Sequence, residues 1–134
     1  MTTCDETTGT ERATRRGDTF VLDVQVKRVL TAGCDAVPVD ITGWMMWFTA
    51  KFYFEDYDSQ AVTQRTSAPL GGIVFTEPTI GKAQITVPSS ATLGFPDAEV
   101  RLVYDVQVKD LLGNIFTVEV GEWLVRPDVT RTVV

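Results

Sequence analysis

Histidine is absent from these 134 residues, which removes the Ser–His–Asp and Cys–His devices of nucleophilic catalysis. Cysteine occurs only at Cys4 and Cys34, and two thiols without an imidazole do not assemble a usual zinc site. Cys4 lies in a polar stretch and Cys34 in a Gly-containing loop, so no structural disulfide is expected in a reducing compartment. No apolar run approaches the roughly 20 residues that a membrane helix needs. The opening stretch, MTTCDETTGTERATRRGD, has early acidic residues and no apolar core, unlike a secretory signal, and synthesis in a cytoplasm is the expectation. Positive charge is also scarce. Twelve Lys and Arg against eighteen Asp and Glu leave a net charge of −6, which argues against a nucleic-acid partner and against an anionic membrane surface.

What is present is alternation. An apolar content of 44% is ordinary for one folded domain of this length. From Gly81 to Arg131 the apolar residues recur at every second position almost throughout, the mark of a sheet with one dry face and one wet face. Ala83, Ile85 and Val87 read as one inner face, and Val100, Leu102, Tyr104, Val106 and Val108 as the next. Phe20, Leu22, Val24 and Val26 repeat the pattern upstream. In the last strand Phe116, Val118 and Val120 share a phase that Trp123 and Val125 have left, which predicts a β-bulge near Gly121.

Trp44–Phe54 predicts a strand with Trp44, Met46, Phe48, Ala50, Phe52 and Phe54 on one side and Met45, Trp47 and Tyr53 on the other. Residues 55–69 read as a polar loop with at most a short edge strand around Ala61–Arg65. Leu70–Thr76 reads as a short strand, and one helical turn is expected at Ser89–Leu93. Gly113 and Asn114 mark a turn. The fold class is all-β, most simply an immunoglobulin-like antiparallel β-sandwich of six or seven strands, with a small closed barrel as the alternative. The expected organisation is an N-terminal arm over 1–18, a sandwich over 19–125 and a C-terminal arm over 126–134.

Several segments, in order, resemble the small immunoglobulin-like virion proteins of phages, among them the N-terminal domain of baseplate upper proteins. They are GDTF (Gly17–Phe20), VDITGWMMWFTAK (Val39–Lys51), GKAQITVP (Gly81–Pro88), LVYDVQVKD (Leu102–Asp110) and LVRPDVTR (Leu124–Arg131). The resemblance spans residues 17–131 and implies a β-sandwich with a structural place in a virion, beside other virion proteins and further copies of itself. It supplies no catalytic residue and no cofactor.

Carboxylate pairs such as Glu119 with Glu122, or Asp23 with Asp105, read on strands as solvated faces rather than acid–base pairs. No enzyme activity, metal or cofactor is therefore expected. Glu55–Asp58 lacks the Gly and the distal Glu of a calcium loop, and Arg16–Gly17–Asp18 is short enough to recur by chance. The distinctive group is Met45, Trp47 and Tyr53, apolar residues that a single sandwich core does not require, which marks a binding surface. A protein interface is the first reading, and a stacking platform for sugar rings in a host-adsorption device is the rival. Arg12, Arg15 and Arg16 in the arm are candidates for ion pairs at such an interface.

Overall fold

The alternating segments become strands because each buries one face, and fully burying a single large aliphatic or aromatic side chain is worth about 1.5–3 kcal/mol. The computed structural model describes residues 10–29, 36–96 and 98–127. Its strands are β1 (Thr10–Arg15), β2 (Phe20–Gln25), β3 (Lys27–Val29), β4 (Ala36–Pro38) and β5 (Met45–Lys51), then β6 (Thr63–Thr66), β7 (Ile73–Glu77), β8 (Lys82–Val87), β9 (Val100–Lys109) and β10 (Ile115–Arg126). The expected helical turn is α1 (Ser90–Leu93). One sheet has the order β1-β10-β9-β5-β6, a second β2-β8-β7, and β3 with β4 forms a small separate ribbon.

The two larger sheets face one another as an all-β sandwich. Phe20, Leu22, Val24, Ile85 and Val87 from the smaller sheet meet Met46, Phe48, Leu102, Tyr104, Val106 and Trp123 from the larger, all buried. The Trp123 ring stacks on Phe20 with centroids 4.6 Å apart and takes the edge of Phe48 at 6.4 Å. Gly81 makes the tight entry to β8. Its φ is +78, and a Cβ there would sit 2.5 Å from the Val26 carbonyl oxygen, so only glycine fits without displacing backbone.

The structure corrects the sequence reading in five places. Residues 10–15 are no arm: β1 pairs with β10 in parallel, Thr10 opposite Gly121 through Arg15 opposite Arg126. That pair, and ten strands among the described residues in place of six or seven, depart from a purely antiparallel sandwich. At the other end, Arg126 is the last residue of β10 rather than the first of an arm, and residues 128–134, like 1–9, lie outside the described residues. β5 stops at Lys51 instead of running to Phe54. Lys51 Nζ pairs with Asp58 Oδ1 and donates to the Asp56 carbonyl, each at 2.8 Å, while Asp56 Oδ2 accepts from the Tyr53 amide. The acidic loop thereby folds the chain away, leaving Phe54 largely exposed and Phe52 partly so, against the Phe95 ring. The bulge falls at Thr117–Glu119, ahead of Gly121 in the same strand. It carries Glu119, Gly121, Trp123 and Val125 to the inner face and leaves Phe116 and Val120 partly in water.

Candidate functional site

Opposite its core, the larger sheet presents a second face. Pairing places Met45 level with Lys109 and Ile115, and Trp47 level with Gln107 and Thr117, on neighbouring strands β5, β9 and β10. The predicted outward aim of Met45 and Trp47 follows from that register: Met45 is exposed and Trp47 half-buried. Tyr53 is not brought beside them. It lies beyond the end of β5 in the 52–60 loop and is 65% exposed.

The β9–β10 turn adds what sequence reasoning missed. Asp110 Oδ1 accepts from the amides of Leu112 and Asn114, and Asn114 Nδ2 donates to Asp110 Oδ2. Gly113 supplies the positive φ of +89. Asp110, Gly113 and Asn114 thus fix the turn together with the Leu112 amide, and the side chains of Leu111 and Leu112 make none of these bonds. Leu112 is nevertheless 87% exposed and Leu111 73%. With Ile115 and Met45 on the outer face, and Phe116 on the core-facing side level with Val108, they put five exposed apolar residues at one end of the sandwich. The available signal was LL inside a turn, where polar residues are the norm.

The three arginines have separate fates. Arg12 lies on the inner face of β1, where its Nη2 is 3.3 Å from Glu119 Oε2 and its Nε donates to Tyr104 Oη at 3.2 Å. The Tyr104 hydroxyl donates to the same carboxylate oxygen. Burial, and then this hydrogen bond, hold the Tyr104 phenol well above its ordinary value. Arg12 is therefore committed within its own domain. Arg15 Nη1 donates to the Pro127 carbonyl on the exposed side of β1, and Arg16 Nη1 to the Phe95 carbonyl. Gly17, in the middle of the Arg-Gly-Asp triplet, takes φ +80 and donates its amide to the buried Thr92 hydroxyl, as a β1–β2 connector requires.

The carboxylate pairs do not assemble. Glu119 faces inward, whereas Glu122 stands on the outer face with Arg101 Nη1 at 2.8 Å. Asp23 and Asp105 stand on the outer faces of different sheets. Among the described residues no three His, Cys, Asp or Glu side chains are grouped to hold a metal ion, and no helix is long and apolar enough to cross a membrane. Cys4 and Cys34 lie outside the described residues. The chain matches no protein-family model and no curated protein.

Proposed function

We propose that this chain is a non-enzymatic structural protein of a tailed bacteriophage virion, an immunoglobulin-like module of a tail, baseplate or capsid-surface assembly. It acts through contacts with other virion proteins and with further copies of itself. The observation that carries the reading is the apolar end formed by Met45, Leu111, Leu112, Ile115 and Phe116, side chains that neither the core nor the turn requires. The ordered resemblance over residues 17–131 supplies the setting. Mass spectrometry of purified virions tests it, with the protein expected at a fixed copy number. The double variant Leu112→Asp, Ile115→Asp should melt within about 2 °C of the parent, since both residues are exposed, and should fall at least tenfold in virion incorporation. A protein missing from purified particles, or a double variant incorporated normally, sinks the proposal.

A second reading rests on Trp47. Its half-exposed indole stands level with Gln107 and two residues from Thr49 on the same face, an arrangement of ring and amide that suits a sugar. Glycan binding lost in Trp47→Ala, with incorporation intact, would favour a carbohydrate-binding module.

A further inference from the structure

A second feature of the outer face does not depend on the virion reading. Between β5, β9 and the 52–60 loop lies a recess of about 270 Å³, lined by Thr49, Lys51, Phe54, Asp58, Asp105 and Gln107 among others. The charges in it do not cancel. Lys51 and Asp58 form a 2.8 Å ion pair, and the Lys51 ammonium also donates to the Asp56 carbonyl. Gln107 Nε2 is directed to Thr117 Oγ1 and Thr49 Oγ1 accepts from Gln64. Asp105, half-buried in the recess, accepts no hydrogen bond from a described residue, and the opposite charge acting on it is the Lys51 ammonium that already pairs with Asp58. Burial raises its pKa, with Lys51 and Asp58 acting in opposite directions. A carboxylate desolvated without a hydrogen-bond donor costs stability, and a group perturbed in this way inside a cleft marks a candidate binding site.

We propose that this recess is a binding site for an organic cation, an ammonium or guanidinium group whose charge and N–H donors complete Asp105 while Phe54 at the rim covers its apolar part. Aromatic side chains attract such cations across their faces, and a guanidinium fork matches a carboxylate in two hydrogen bonds. A cation answers both deficits at Asp105, whereas a neutral polyol answers only the hydrogen bonds. The cation is either a free amine or a basic side chain of a bound protein, and one chemistry serves both.

The test is a titration of the full chain followed by amide NMR. Agmatine should give saturable shifts concentrated at residues 49–51 and 103–107. The variant Asp105→Asn should weaken binding at least tenfold, and Asp23→Asn on the other sheet should leave it unchanged. A short acetylated, amidated Gly-Arg-Gly peptide separates the sources: tighter binding than agmatine assigns the site to a protein side chain, and weaker binding to a free amine. Shifts that never saturate, spread over both sheets and persist in Asp105→Asn would mean diffuse attraction to an acidic protein and overturn the site. So would a methyl glucoside that moves the same amides where agmatine does not.

Discussion

Tyr104 shows how one hydroxyl organises a polar corner of an apolar core. Its ring packs against Phe48 at 5.5 Å while its oxygen joins Glu119 and Arg12. The Tyr104→Phe variant would keep the ring and leave the Glu119 carboxylate with Arg12 alone, at a cost of about 1–3 kcal/mol. Because the folded phenol is held above its unfolded value of about 10, its contribution is fully present below that pH and is lost as alkalinity rises beyond it. Chemical denaturation between pH 8 and 11 should show stability falling at the upper end in the parent and a flatter limb in Tyr104→Phe. Asp105 has the opposite consequence at neutral pH. A carboxyl whose folded pKa is raised contributes stability below its unfolded value near 3.9, lost as pH rises through the folded one. Replacing Asp105 with Asn should raise the melting temperature at pH 7 and leave it nearly unchanged at pH 3.

Among the elements, β2, β8 and β9 were legible because each alternates strictly and each buries the predicted face. The strand β1 was not legible because its inner positions are Arg12 and Thr14. No apolar period announces a strand whose inward contacts are a guanidinium on Glu119 and a hydroxyl accepting from Trp123 Nε1 at 2.9 Å. The phase change in β10 was visible in Trp123 and Val125, but its position was not, since the bulge turns on pairing with β9. The end of β5 depended on Lys51 meeting Asp56 and Asp58, a capture that strand grammar does not encode. Of the candidate site, Met45 and Trp47 followed from alternation, whereas Tyr53 fell with the strand end. Removing residues 1–15 deletes β1 and strands the Trp123 N–H, so it should cost about 2–3 kcal/mol and lower the melting temperature by roughly 10 °C. Removal of residues 1–9 leaves β1 in place, and comparing the two truncations by thermal melting checks the assignment. The Gly81→Ala variant should cost at least about 1 kcal/mol, because its φ and the Val26 carbonyl both oppose a side chain.

At the scale of the whole molecule, the two faces of the larger sheet divide the work. The inner face carries Phe48 and Trp123, whose rings meet edge to face beneath Phe20 of the smaller sheet, and a Phe48→Ala variant should lose about 3–5 kcal/mol, measured by denaturant unfolding. The outer face and the hairpin end carry residues the core leaves unused, and there the proposed contacts and the Asp105 recess lie. The parallel pairing of β1 with β10 also sets a timetable. On a ribosome β1 emerges before the other described strands, yet among them its sheet neighbour is the last, β10. Until then the β10 side of the sheet does not exist, and Arg12 has neither Glu119 nor Tyr104 to meet. Closure between such distant segments is slow compared with local pairing. The nascent chain therefore holds an unpaired polar strand until β10 has been made, and the larger sheet is completed by the pairing of its first and last described strands.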